Sequence, residues 1–178
     1  MEPLAEQRIL IYGVTGSGKT TFARGLSEAT RIPWHSVDDL TWNPGWQEVP
    51  LDEQRRRIAT ICDGDRWILD TAYGKWIDIP LANAEVILAL DYPRWFSLLR
   101  LTRRTLIRLV DGKLICNGNR ETLGNFFSRE SILLWHFKSF SAKRKRVEMW
   151  VEEGRNVVRF RRAKDAESWL RSVAHVRF

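Results

Sequence analysis

Cysteine, histidine and long apolar runs are scarce in this 178-residue chain. Its two cysteines, Cys62 and Cys116, are too few for a disulfide framework and lack metal-site spacing, so two reduced thiols are expected. His35, His136 and His175 are scattered and receive no catalytic role. No apolar run approaches the roughly 18 residues of a membrane span. The segment Met1 to Gln7 is acidic and leads straight into an apolar strand, unlike a secretory leader, so a cytoplasmic location is expected. No repeat, low-complexity tract or linker divides the chain, which leaves one domain, 1–178.

The composition is that of a globular domain, 44% hydrophobic and 29% charged, with nine tryptophans that should mostly pack in or beside the core. The net charge is +7. Such a balance suits nucleic acid or an anionic small molecule equally, and distribution decides between them. Arg94, Arg100, Arg103, Arg104, Arg108, Lys113 and Arg120 share a stretch whose only acid before Glu121 is Asp111. The run Lys143-Arg144-Lys145-Arg146 reads as a solvated helix face.

One segment dominates: Gly13-Val14-Thr15-Gly16-Ser17-Gly18-Lys19-Thr20 fits G-x-x-x-x-G-K-[ST] throughout. The apolar run Arg8 to Tyr12 before it reads as a strand. Lys19 to Thr30 after it reads as a helix with Phe22, Leu26 and Ala29 on one face. Glycines permit the tight turn and keep side chains away from an anion, and the helix start offers unpaired N–H groups. ATP is therefore expected on Gly13, Thr15, Gly16, Ser17, Gly18, Lys19, Thr20 and Thr21, with Lys19 on the β- and γ-phosphates and Thr20 on magnesium. A regulatory GTPase does not fit: 84–92 lacks D-x-x-G, and no N-K-x-D occurs.

Strand and helix signals alternate along the rest of the chain. Strands are expected at 32–37, 66–70, 85–91 and 156–160, with a turn-rich loop at 40–50 and helices at 51–62, 78–84, 128–150 and 163–173. The 51–62 helix should turn Leu51, Ile58, Ile61 and Cys62 inward. Pro93 opens another helix, with Trp95, Leu98, Leu99, Thr102, Leu106 and Leu109 as one stripe and Arg100, Arg104 and Arg108 as another. The pattern implies a three-layer, doubly wound parallel α/β sheet. In such sheets ligands sit at the carboxyl ends of the strands, where the phosphate loop, Asp38, Asp39, Asp70 and Asp91 fall.

Any of these four carboxylates can assist magnesium or an acceptor, and each can equally be a helix cap or turn residue. Asp38 and Asp70 lead for the metal together with Thr20. The arginine stripe reads either as a solvated face or as the root of a closing lid, about 103–125, that stabilises transferring charge. Lys19, Arg104, Arg103 and Asp38 are the candidate catalytic residues. Arg100 and Arg108 join the nucleotide set, and Arg120 follows. Trp42 and Trp46 are packing residues or a platform for a flat acceptor, and Arg55 a candidate clamp for an acceptor phosphate.

Beyond the loop, Ile32-Pro33, His35 to Leu40, Trp42 to Trp46, Trp67 to Tyr73, Val86 to Arg94, Asn117 to Glu121, Arg159 to Arg161 and Trp169-Leu170 resemble the adenylate-kinase-related P-loop proteins of the "DNA topology modulation protein" type. The resemblance spans nearly the whole chain. It implies a nucleoside-monophosphate-kinase-like fold with a five-stranded sheet ordered 2-3-1-4-5, ATP as donor, an acceptor-side insertion at about 39–63 and a short lid. Thr71-Ala72 stands where the family has glycine-asparagine, and nothing after the second strand matches the AMP-recognising segment of adenylate kinases. The reading is an ATP- and Mg2+-dependent phosphotransferase acting on a nucleotide or other small-molecule acceptor. The alternative is a DNA-associated nucleotide-binding protein without that activity.

Overall fold

The structure is a computed structural model that describes residues 6–71, 74–111 and 132–175, with side chains of 108–111 and 132–136 outside the description. Its centre is the strand β1 (Arg8–Gly13), flanked by β5 (Trp67–Thr71) and β6 (Val86–Leu90), all parallel. β2 (Trp34–Ser36) pairs with β5 and β7 (Val157–Phe160) with β6. The sheet order is β2-β5-β1-β6-β7. Counted among themselves in chain order, these five strands run 2-3-1-4-5. The extra labels come from a separate antiparallel ribbon, β3 (Trp42–Asn43) with β4 (Gln47–Glu48).

Both sheet faces are buried, as a parallel sheet requires. Ile9 and Ile11 point to one side, where α1 (Lys19–Thr30) and α7 (Ala163–His175) contribute Phe22, Leu26, Trp169 and Leu170. Leu10 and Tyr12 point to the other, against Ile58 of α3 (Leu51–Cys62), Ile79 of α4 (Asp78–Asn83), Val147 and Trp150 of α6 (Ile132–Glu152), and Trp76 just ahead of α4. On the first side Phe22, Phe160 and Trp169 lie within 6.0 Å of one another, centroid to centroid. On the second, Tyr12 meets Trp150 edge-on at 4.7 Å.

Four local expectations are corrected. The second strand ends at Ser36, and Val37 to Thr41 forms the short helix α2, so Asp38 and Asp39 lie in its first turn. The 40–50 loop holds the β3–β4 hairpin, whose Pro44-Gly45-Trp46 turn places Gly45 at φ 78° and Trp46 at φ 56°. On α3, Leu51 is exposed and Gln54 is buried in its stead, donating to the Val49 carbonyl and accepting from the Trp76 indole. The fourth correction is the largest. Helix α5 (Arg94–Asp111) buries Ser97, Leu101 and Thr105, while Trp95 and Leu99 stay 67% and 62% exposed and Leu106 faces outward too. Of the buried residues, Ser97 and Thr105 are small, and the helix backbone lies directly on the phosphate loop at Ser97: a Cβ on Gly16 would stand 2.4 Å from the Ser97 carbonyl oxygen, with Leu101 filling the space beside it.

Asp91 is also reassigned. Its carboxylate is buried and accepts from Arg159 at 2.8 Å, with Arg144 at 3.7 Å, and Arg159 also donates to Glu148. It ties β7 and α6 to the end of β6 and is not available to a metal. Removing one partner of such a pair strands the other's charge. Asp91→Ala is expected to lower unfolding free energy by about 3 kcal/mol in urea titration. A loss below about 1 kcal/mol would contradict this structural role.

Candidate functional site

The phosphate loop leaves β1 at Gly13 and enters α1 at Lys19. Three glycines answer to different contacts. Gly13 has the Ser17 hydroxyl and the Leu90 carbonyl within 3 Å of any Cβ it could carry. Gly16, at φ 84°, lies under α5. Gly18, at φ 91°, caps α1 without a side-chain hydrogen bond, and a Cβ there would lie 2.7 Å from an Arg100 guanidinium nitrogen. The α1 N-terminus thus keeps unsatisfied amides with a guanidinium beside them. Within the loop the Ser17 hydroxyl is 1% exposed and makes no hydrogen bond. Bare glycines, open amides and an orphaned hydroxyl fit a polyphosphate tail. Thr15 is partly buried, and Thr21 is exposed on the first turn of α1.

Lys19 lies across the loop, its amine donating to the Val14 carbonyl at 3.0 Å. Burial pulls it below the usual lysine value, to about 8, against the opposing charges of Asp70 and Asp38, and Arg104 lowers it further. Beneath it the Thr20 hydroxyl donates to Asp70 at 2.9 Å, and the Trp34 indole donates to the other carboxylate oxygen at 3.1 Å. Burial raises the Asp70 pKa, and these hydrogen bonds and Lys19 oppose the rise. Asp38 is exposed on α2, yet its charge reaches Lys19 and Asp70. Asp39 is exposed beside it.

One threonine hydroxyl with Asp70, and Asp38 nearby, is an all-oxygen donor set suited to Mg2+. No group of three or more His, Cys, Asp or Glu able to hold a metal occurs among the described residues. Mg2+ commonly keeps several waters and is bound through one or two carboxylates together with substrate phosphates. Thr20 and Asp70 would hold it, and it would neutralise charge on the phosphates.

Of the arginine stripe, Arg100 reaches Gly18, and Arg104 lies near enough to Lys19 to depress it. Arg103 is exposed and stands outside this group. The Arg108 side chain, all of Arg120 and the 112–125 part of the expected lid lie outside the described residues. Arg55 is engaged elsewhere: both its terminal nitrogens donate to Asp78. Trp42 and Trp46 pack edge to face at 5.8 Å within the hairpin. Burial lowers the His35 pKa, and Cys62 is a buried thiol pushed up to about 12 by burial and Asp63, hence unreactive.

The basic run of α6 is not a solvated face. Lys143 is only 6% exposed, and burial with the charges of Lys19 and Arg146 brings it down to about 7, opposed by Asp38. Arg146 donates to the Tyr12 hydroxyl at 3.3 Å, and its guanidinium lies 3.1 Å from where a Cβ on Gly74 would stand. Arg144 faces Asp91, which leaves Lys145 exposed. A signal for this was present in the sequence. Phe140, Lys143, Val147 and Trp150 recur at helical spacing and are all buried, so the lysine occupies a slot of an apolar stripe.

No protein-family model matches the chain, and no curated protein matches it. Solved structures do. A shikimate kinase from Bacteroides thetaiotaomicron aligns with TM-score 0.58 at 11% identity, over 97% of this chain and 98% of that one. A gluconokinase from Sinorhizobium meliloti gives 0.54 at 16%, over 96% and 94%. A sugar kinase from Janibacter sp. gives 0.52 at 15%, over 96% and 91%. The chain has the fold of P-loop small-molecule kinases. No helix among the described residues is long and apolar enough to cross a membrane.

Two lysines held below their ordinary value of 10.5 make stability depend on pH. Between about pH 7 and 10.5 the unfolded chain binds more protons at these positions than the folded one. Their contribution to stability is full above 10.5 and is lost as pH falls through the folded values. The ligand-free protein should therefore gain stability from about pH 7 to pH 10, and Lys143→Met should flatten that rise. Urea midpoints across the range check it, and equal slopes for the two proteins would contradict it.

Proposed function

We propose that this protein is a phosphotransferase that passes the γ-phosphoryl group of ATP, with Mg2+, to a small-molecule acceptor. The observation that carries the reading is the conjunction at the end of β1: an open phosphate loop, Lys19 across it, and Thr20 hydrogen-bonded to Asp70 at 2.9 Å. Phosphoryl transfer asks for charge neutralisation and alignment rather than covalent help from the protein. We assign the loop amides, Ser17, Lys19 and Arg100 to the donor phosphates, and Thr20 and Asp70 to the metal. Asp38 is assigned to the acceptor, where its carboxylate orients the attacking oxygen and takes its proton. Arg104 stabilises charge on the group in flight, with Arg103 and Arg108 as further cations on the same helix.

Arg146, beside Tyr12 and near the Gly74 backbone, favours an acceptor with an anionic group. The neighbours named for shikimate and gluconate act on hydroxyl-bearing carboxylic acids, and the resemblance to adenylate-kinase-related proteins adds nucleotides to the range. The run 143–146 gives the DNA-associated reading little support. Of the run 143–146, Lys143, Arg144 and Arg146 turn inward or pair with Asp91, which leaves little of it for a duplex.

A panel of hydroxy acids, nucleosides and nucleoside monophosphates, assayed for stimulated ADP release, tests the proposal. One class should raise turnover above basal hydrolysis, and no stimulation across the panel would count against it. Lys19→Ala should abolish transfer while the protein remains folded, as melting curves verify. Arg104→Ala should lower kcat by about 10²-fold or more with a smaller change in KM for ATP. An unchanged kcat would return Arg104 to a solvated-face role.

A further inference from the structure

The most unusual group outside the phosphate loop is Lys143, a lysine buried in the middle of α6. Apolar surroundings disfavour its charge, and so does Lys19, the foremost charged neighbour acting on it. The two amines converge. Lys19 donates to the Val14 carbonyl, and Lys143 lines a small cavity with Tyr12, Gly13, Val14, Asp91 and Arg144. Lys143 therefore approaches the loop from its β1 end, opposite the α1 N-terminus flanked by Arg100. Lys19 feels Asp70, Asp38 and Arg104, and Lys143 feels Lys19, Arg146 and Asp38, so the two amines share one neighbourhood of charges. Two lysines brought together out of water are unfavourable by themselves. A dense anion between them reverses the sign of the interaction.

We propose that Lys143 is a second ligand of the terminal phosphoryl group of the bound nucleotide, gripping it from α6 while Lys19 grips it from the loop. This rests on the nucleotide reading of the loop given above. The β1 end of the loop is the end away from the helix start, whose amides take the inner phosphates. Lys143 thus meets the γ-phosphate and not the part of the tail that ATP and ADP share. Because Lys143 also feels Asp38, it stands on the side from which the acceptor comes. Lys143 is anchored on α6, outside the 103–125 segment expected to form the lid.

The test needs no acceptor. ATP and ADP, each with Mg2+, are titrated calorimetrically into the wild type, Lys143→Met and Lys143→Arg. Methionine keeps length and removes a buried charge, so folding is not at risk, and melting curves verify it. Lys143→Met is expected to weaken ATP by about 10- to 100-fold, the range for a hydrogen bond to a charged group, while ADP changes by less than about threefold. Lys143→Arg should restore part of the ATP affinity. Equal weakening of ATP and ADP, or no weakening of either, overturns the inference and leaves the kinase reading standing. Failure of the wild type to bind either nucleotide overturns the reading of the loop itself, and this inference with it.

Discussion

The packing of α5 onto the phosphate loop is the contact on which the site depends. The Ser97 carbonyl sits where Gly16 would carry a Cβ, and Leu101 closes the same gap. A glycine in a left-handed conformation and the helix backbone at Ser97 are two halves of one constraint. Their meeting brings Arg100 over Gly18 and Arg104 toward Lys19. The arginine helix is therefore seated on the phosphate loop at its root. Trp95, Leu99 and Leu106 lie on the opposite side of the helix and face outward.

Electrostatics supplies the second organising theme. β5 delivers Asp70 and α2 delivers Asp38 to one end of the sheet, and helices on both sides deliver cations to it. Burial is what makes these charges consequential: it pulls Lys19 and Lys143 down and Asp70 up, so each group is held away from its solution behaviour. The Asp91–Arg159–Glu148 network lies close by but does different work. Its charges neutralise one another, and it fastens β7 and α6 to the sheet, thereby fixing the helix that carries Lys143.

Much of this was legible before any coordinates. The loop, its strand and its helix followed from one motif in its context, and the alternation of apolar strands with amphipathic helices pointed to the layered sheet. Asp70 and Asp38 were visible as carboxylates at strand ends. Two other readings failed for a common reason. The apolar stripe assigned to α5 and the solvated face assigned to 143–146 both assumed that residue type reports burial. Close backbone approach put Ser97 and Thr105 inside where large apolar residues were expected, and Lys143 is buried in a slot of an apolar stripe. Arg55 shows the converse, a well-placed cation already engaged by Asp78.

What the sequence by itself determined is whatever acts over a few neighbouring residues. A glycine-rich turn followed by lysine and threonine makes an anion cradle from local backbone geometry alone, and apolar periodicity sets which elements form. Tertiary structure decided which of the many charged side chains share a space. Asp91 and Asp70 both stand at strand ends, yet one meets Arg159 and the other Thr20. Lys143 and Lys145 stand two apart on one helix, yet one is buried beside Lys19 and the other faces water. Charge interactions act through distance and burial, and neither exists until the helices have docked.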